Sequence, residues 1–399
     1  LAAGLEYRRE TYEIFAGEEG SWRDFDGPGG GNAGSQGFPG FQPADEVNAA
    51  RHSTAAYLDM EFHTSERLLF TAALRGEDYS DFGNTINWKV STAYEATPQL
   101  NLRGSVSTGF RAPSLHQRYF SSTFTDFIAG VAADIKLAPN ESLLATLVGI
   151  PKLKEEESIN YSAGLTWHPR PETEVTLDAY QIDIDDRIVL TGGFTGDDPD
   201  IGGIITSQNL IEARFFTNAI DTKTRGVDVA LSRDWGLEGA SLRSSAAFNY
   251  NTTDVQRINT APGLAGKEDI YFNTRERLFV EGSAPKMKGT VTTDYRRSRW
   301  SGGVKLTWFG EVESGTWSQV DDPDAPSQIY DPKVTTDVYV GYELRNGLNL
   351  VVGGTNIFDV MPTAQDPAET ENGGLWENVQ MGFNGAGYFV RLSYRIPGR

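Results

Sequence analysis

Long runs of strict alternation between apolar and polar side chains limit what this chain can become. Over residues 100–110, Leu100, Leu102, Gly104, Val106, Thr108 and Phe110 share one side, and Asn101, Arg103, Ser105, Ser107 and Gly109 share the other. Ile86, Trp88, Val90, Thr92 and Tyr94 oppose Asn87, Lys89, Ser91, Ala93 and Glu95 in the same way. Ile159, Tyr161, Ala163, Leu165 and Trp167 oppose Asn160, Ser162, Gly164, Thr166 and His168, and the pattern returns at 242–250, 300–308 and 388–396. Successive side chains point to opposite faces only in an extended strand, so period two reads as strand. The runs last roughly 9 to 13 residues, where a typical soluble strand has about 5 or 6. Trp167, Tyr250, Trp300, Trp308 and Tyr394 fall near run ends on the apolar side, which suits rings lying at head-group level on a membrane-spanning strand.

The connections alternate between short and long. TSER (64–67), TPQ (97–99), RPE (170–172), WGLEGA (235–240), RSR (297–299) and RNG (345–347) are short. Segments near 17–51, 111–157, 188–223, 251–286, 312–333 and 357–387 are long, with one brief exception at DFGNT (81–85). A soluble sandwich has no reason to lengthen every second loop, whereas a bacterial barrel keeps tight turns on one rim and extended loops on the other. The expected fold is therefore all-β: an antiparallel transmembrane β-barrel wall of about 14 strands, with short periplasmic turns and long extracellular loops. The Gly-rich stretch DGPGGGNAGSQGFPGFQP (26–43) has no Walker-type Lys-Ser/Thr after it and reads as loop, not phosphate cradle. Residues 311–333 hold six acids against one Lys, and 359–390 hold five acids with no Lys or Arg, as loops in water would.

Composition agrees with this and removes other classes. Mean hydropathy is −0.40 and no stretch of about 18 apolar residues exists, so no helix is apolar enough to cross a membrane. Alternating strands cross at low average hydropathy. The formal charge of −20 gives no basic face for nucleic acid; an acidic excess of itself reports solubility or adaptation to salt. Cys is absent, which removes disulfides, thiolate zinc sites and cysteine nucleophiles. The chain opens LAAGLEYRRE, without an initiator Met or a signal-peptide pattern, and is expected to be a processed or truncated piece of something longer.

Three segments carry a family resemblance. GFRAPSLHQRYF (109–120), NAIDTKTRGVDVAL (218–231) and GGTNIFDVMPT (353–363) are similar, in that order, to motifs of TonB-dependent outer-membrane receptors. Gln117 stands where the family often has Glu, and the closing YFVRLSYRIPGR lacks the usual terminal aromatic. The resemblance implies that residues 1–399 are the C-terminal portion of a 22-stranded receptor barrel, with no plug domain in this chain. It further implies a location in the bacterial outer membrane, contact with its lipid and lipopolysaccharide, and active import of a scarce small nutrient such as siderophore-iron, cobalamin or a glycan. Energy would come from TonB through a plug and TonB box. No enzymatic activity is implied.

Candidate site residues follow from chemistry. Ligand sites combine apolar walls with a few placed polar atoms, and the loop residues of that kind are Arg111, Tyr119, Phe120, Phe124, Trp317, Tyr330 and Trp376. Each competes with the reading that it packs loop against loop. DDPD occurs at 197–200 and at 321–324, making Asp197, Asp198, Asp200, Asp321, Asp322 and Asp324 candidate oxygen ligands for Ca²⁺; Asp-Pro-Asp is equally a plain turn. His52, His63, His116 and His168 are scattered without paired ligand spacing, and no G-x-S-x-G elbow occurs. Asp183 and Asp185 share a strand face opposite Asp186, as a solvated strand end or a lumen-facing acidic row. Arg103, Lys305 and Arg391 belong on the lumen side, since Arg or Lys on the lipid side costs about 2–4 kcal/mol at mid-bilayer. Two alternatives stay open: a complete 14-stranded passive porin or hydrophobic-solute channel, and a secreted soluble carbohydrate-binding β-protein.

Overall fold

A computed structural model gives the fold. It describes all residues except 24, 26–33, 36–38, 129–130, 209, 262–263, 346 and 396–399, and no side chains at 124–128, 131–133 and 321. Most of the Gly-rich stretch, the side chain of Phe124 and that of Asp321 therefore lie outside the described residues.

Among the described residues nineteen strands form, and fourteen of them pair antiparallel in one continuous wall. In wall order these are β1 (Ala2–Ile14), β2 (Val47–Ser65), β3 (Leu68–Tyr79), β4 (Gly83–Thr97), β5 (Leu100–Arg111), β8 (Glu156–Arg170) and β9 (Thr173–Leu190). There follow β11 (Glu212–Leu237), β12 (Ala240–Ile258), β13 (Met287–Arg297), β14 (Trp300–Phe309), β17 (Lys333–Arg345), β18 (Leu348–Thr355) and β19 (Gly387–Tyr394). The alternation of short turns and long loops is the one expected. Among the described residues β1 has a ladder partner only in β2 and β19 only in β18, so the wall is not closed and ends in two free edges.

Register carries the alternation from strand to strand. Gly104 faces Ala163, Ala163 faces Ala179, and Ala179 faces Val227, one row of the apolar side. That side is exposed: Leu74 is 53% and Val340 54% accessible, with Trp88, Leu102, Trp167, Trp300 and Leu306 also outward. A continuous apolar face left uncovered is what a wall shows when its solvent is hydrocarbon. On β11, Arg225 and Arg233 bracket the outward Val227, Val229 and Leu231. The step between them covers about 26 Å of strand, or about 20 Å along the axis at a tilt near 40°, close to the roughly 25 Å of an outer-membrane apolar band.

The polar side is knitted by cross-strand pairs. Arg103 reaches Asp178 with Nε–H at 2.8 Å and Thr166 Oγ1 at 2.7 Å, and Lys305 faces Asp337 at 4.0 Å. Both cations take the inner side expected of them, and so does Arg391, opposite Val351.

The buried apolar core lies at the long-loop end and not in the wall. The loops fold into short elements that no sequence periodicity announced: α1 (Glu19–Trp22), α2 (Leu115–Tyr119), β6 (Ser122–Ile128), β7 (Val131–Ala138), α3 (Leu143–Val148), β10 (Phe194–Thr195), α4 (Gly202–Ser207), α5 (Glu268–Tyr271), α6 (Thr274–Glu281), β15 (Val312–Ser314), α7 (Ser318–Asp321) and β16 (Gln328–Tyr330). Phe194, Ile205, Phe215, Ile220, Leu264 and Tyr271 are almost fully buried together. β11 runs 26 residues because its first four, Glu212–Phe215, extend beyond the wall and pair with β7 and β10 in this cap.

Candidate functional site

The FRAP segment builds the inner mouth of the long-loop rim. β5 delivers Arg111 to the rim, and Pro113, lacking an N–H, ends the ladder. Arg111 donates Nε–H to Glu156 Oε2 at 2.7 Å and Nη2–H to Oε1, and that carboxylate also accepts the Ile188 N–H at 2.7 Å. One acid thereby ties the ends of β5, β8 and β9. Buried Arg51 donates to the Pro113 carbonyl at 2.6 Å and twice to Glu10, at 2.9 and 2.6 Å. Ser114 then starts α2: its Oγ accepts the Gln117 N–H at 3.0 Å, and Gln117 Oε1 accepts the Ser114 N–H at 3.0 Å. This reciprocal capping box needs Glu or Gln at the third position, so Gln117 meets it. Arg118, buried behind the turn, faces Asp81 at 2.7 Å and Glu141.

The anchored turn presents aromatic rings. His116 stacks on Phe120 at 4.5 Å, meets Tyr12 edge-on at 6.0 Å and Phe216 at 5.9 Å, and Phe41 stands against Phe120 at 5.9 Å. Four chain segments contribute these rings. His116 is exposed and the other four are half-buried. Ring faces with an imidazole and a phenol among them suit a small ligand carrying a flat or apolar portion. Of the residues singled out from sequence, Phe120 lies in this cluster, and Tyr119 is beside it under the Arg118 guanidinium at 5.5 Å. Arg111 is spent on Glu156. Sequence reasoning does not single out His116 as a site residue. The signal available for it is the Ser-x-x-Gln start of a helical turn with Phe four residues beyond His.

Trp317, Tyr330 and Trp376 sit apart, where the loops around 310–332 and 356–386 meet α6. The Arg275 guanidinium lies between the Trp317 ring at 3.8 Å and the Phe279 ring at 4.7 Å. Tyr330 is fully buried, and its hydroxyl is engaged with Gln328 at 3.0 Å and Glu377 at 3.1 Å. Burial and the Glu377 carboxylate push its phenol well above the ordinary tyrosine value. Tyr330 therefore packs loop against loop and presents nothing to a ligand, while Trp317 and Trp376 remain exposed.

The acidic repeats are engaged in turns. Lys267 Nζ lies 2.9 and 2.8 Å from the two oxygens of Asp198 and 3.0 Å from Asp200, filling the space a cation would take. Asp197 is exposed. Asp322 Oδ1 accepts the Asp324 N–H at 3.1 Å, a local turn. Among the described residues no three His, Asp or Glu side chains converge to hold a metal ion. Asp183 pairs with Lys223 at 3.3 Å and Asp186 with Lys154 at 2.6 Å. Both lie inside β9, which runs on to Leu190, so the acidic run is not the strand end expected of it, and Asp183 stands on the face opposite Asp178.

The other two motifs are also rim joints. Asn218 donates to the Lys154 and Asp186 carbonyls at 3.0 and 2.6 Å, and Asp221 accepts from the Asp186 N–H, Asn259 and Arg257. Asn356, at φ 46°, closes the turn after β18 by bonding both backbone groups of Val360. Below the mouth, a groove of about 500 Å³ on the inner face is bordered by Tyr57, Asp59, Arg75, Asn87 and Lys89.

A wall of long strands, apolar outward and polar inward, with a folded cap and an aromatic mouth at one end, is the framework of a membrane-spanning receptor barrel. The chain belongs to the TonB dependent receptor-like, beta-barrel family, whose model matches residues 2–357. Over 139 residues it is 28% identical to the vitamin B12 transporter BtuB of Photobacterium profundum, covering 35% of this chain and 18% of that protein. Its fold is similar to a mutant of the ferric enterobactin receptor PfeA of Pseudomonas aeruginosa, with a TM-score of 0.64 at 14% identity over 98% of this chain and 50% of that one. It is likewise similar to the siderophore receptor PirA of Acinetobacter baumannii, with a TM-score of 0.65 at 15% identity over 98% of this chain and 51% of that one. The chain thus spans about half the length of these solved receptors.

Proposed function

We propose that this chain forms the wall and outer loops of a bacterial outer-membrane receptor that captures a scarce small nutrient and imports it with TonB energy. The aromatic mouth carries the reading: His116, Phe120, Tyr12, Phe41 and Phe216 gather at the opening of a polar-lined wall, held there by Arg51 and Arg118. The neighbours favour a siderophore or cobalamin as cargo, since relatives and similar structures carry those names. The two free edges favour a larger barrel over a closed 14-stranded porin, because unpaired backbone cannot lie in hydrocarbon. On this reading further strands, and a plug bearing the TonB contact, complete the receptor. The exposed apolar face, which would meet lipid and lipopolysaccharide, argues against a secreted soluble protein. Uptake of radiolabelled ferric catecholates and cyanocobalamin, compared between parent and deletion strains with and without a protonophore, tests the proposal. Loss of uptake of one cargo in the deletion strain and under protonophore is expected; uptake that persists with the gradient collapsed would refute active import.

A further inference from the structure

The chain holds 55 acidic against 35 basic residues, yet one sector of the short-turn rim has the opposite balance. Arg296, Arg297 and Arg299 lie at the β13–β14 turn, Arg345 at the β17–β18 turn, and Arg395 just past β19. Backbone hydrogen bonds join the three places: the Glu343 N–H donates to the Arg299 carbonyl at 2.9 Å, and the Arg395 N–H to the Gly347 carbonyl at 2.7 Å. All five arginines are exposed, and none forms an ion pair among the described residues. Glu343, the acid in these turns, points its carboxylate back to the Gly347 N–H at 3.4 Å. Elsewhere on the rim charge is balanced: Glu66 adjoins Arg67, Glu172 lies near Arg170, and Arg243 faces Asp234 at 3.8 Å.

Tyr295, Trp300 and Tyr394 stand on the exposed apolar face immediately inside the arginines, and the rings of Trp300 and Tyr342 lie 4.7 Å apart. Such rings settle at head-group depth, which puts the arginines of these turns at the level of lipid phosphates, Arg297 on the side of Trp300 and Arg296 alternating to the polar side opposite Ser301. Guanidinium binds phosphate through paired N–H donors, and unpaired cations there concentrate anionic lipid. We infer that this sector of the rim holds the head groups of an anionic phospholipid such as phosphatidylglycerol. The inference rests on the membrane reading above. A soluble acidic partner would need no aromatic belt beside its arginines.

The chain has no cysteine, so with any cysteine outside it replaced by serine, Ser298→Cys in the arginine turn and Glu238→Cys in the β11–β12 turn can each carry a single bimane. The full-length protein is placed in phosphatidylcholine bilayers containing a minor fraction of lipid with a nitroxide near the top of the acyl chain. Nitroxide phosphatidylglycerol is expected to quench the probe at 298 about fivefold better than nitroxide phosphatidylcholine, the factor that roughly 1 kcal/mol from one basic residue represents. No preference is expected at 238. The preference should vanish in Arg297→Gln/Arg299→Gln/Arg345→Gln and at high salt, and should resist millimolar inorganic phosphate. Equal quenching by both lipids at 298, a preference that survives the triple substitution, or relief by free phosphate overturns the inference and leaves the membrane reading standing. Absence of quenching at both sites by either lipid overturns the membrane reading itself. The comparison of 298 with 238 needs no arginine substitution, so it decides even if the triple variant fails to insert.

Discussion

Arg103 and Asp178 join across an intervening strand, because the residue that lies between them in register is Gly164. A Cβ on Gly164 would stand 2.8 Å from the Leu177 carbonyl oxygen and would overlap the Asp178 carboxylate. Gly164→Ala is therefore expected to displace Asp178 and to destabilise the inserted wall by about 1–3 kcal/mol. In an Asp178→Ala background the same substitution should cost less, though not nothing, because the backbone contact remains. Urea unfolding of the four members of this cycle in detergent or bilayer checks it; equal costs in both backgrounds would show that the carboxylate is not what Gly164 accommodates.

Arg118 is the buried member of the mouth. Its ion pair with Asp81 at 2.7 Å fixes the turn that carries His116 and Phe120. Arg118→Ala leaves the buried Asp81 carboxylate with Arg51 alone, 3.7 Å away, and takes the partner from Glu141, a loss of up to about 3–5 kcal/mol. Replacing both, as Arg118→Met with Asp81→Leu, should return most of it, since an apolar pair removes the uncompensated charge. Limited proteolysis within 112–155 reports the loosening: cleavage should be fast in the single variant and slow again in the double.

The wall is legible in sequence because period two survives any tertiary context that leaves one face in lipid and the other in water. Trp167, Trp300 and Leu102 can be placed outward, and Arg103 inward, from alternation and the cost of a lipid-facing charge. The cap is not legible. Phe194, Ile205 and Tyr271 stand on a two-residue strand and on helices of six and four residues, too brief to show a period, and they close on Phe215 at the start of β11 from two different loops. Tyr330 and Phe120 are both aromatic loop residues by composition, and only packing separates the buried one from the one at the mouth. The loop ranges read from sequence are too wide at β11 and β12, which continue past the apolar band into the cap with charged residues such as Lys223 and Arg257 facing water.

The cap has a defined pH window. Partial burial raises the Asp198 carboxyl, but the Lys267 ammonium and the N–H groups of Asp200 and Ile201 outweigh it and hold the group below its ordinary value. The hydrogen bonds that Ser318 gives to Glu369 hold that acid low as well. A depressed carboxylate contributes stability that is complete above its unfolded pKa, about 3.9 for Asp and about 4.3 for Glu, and is lost as pH falls through the folded value. Lys267, raised by Asp198 first and Asp200 second, keeps its contribution until strongly alkaline pH. Hydrogen exchange should therefore show protection of 196–211 unchanged from neutral pH to about 5 and falling below about 4. In Asp198→Asn that acid-dependent fall should be absent, with lower protection throughout.

Phe120 supplies ring surface at the mouth without holding the wall together. Phe120→Ala should lower cargo affinity about tenfold or more, the scale of losing one well-packed aromatic contact, with thermal unfolding little changed. Phe120→Tyr should retain most of the affinity. Tyr330→Ala is expected to do the reverse, destabilising the loops while a folded fraction binds normally. Equilibrium binding and melting curves on the three variants separate the two roles.

The sidedness of the wall can be read one residue at a time, since substitution to cysteine introduces the chain's sole thiol. Leu102 pairs with Tyr94 and Leu165 on the apolar side, while Ser105 pairs with Ser91 and Ser162 on the polar side, its hydroxyl 2.8 Å from that of Ser162. In reconstituted protein, Leu102→Cys should react with a hydrophobic maleimide dissolved in the bilayer and resist a charged methanethiosulfonate. Ser105→Cys should react with the charged reagent, which reaches it only through water on the inner side. A lipid-facing thiol stays protonated and is cut off from aqueous reagents, so the contrast should exceed about tenfold in rate. Reaction of both cysteines with the charged reagent alone would mean that neither face meets hydrocarbon; an exchange of the two preferences would mean that the wall is turned inside out.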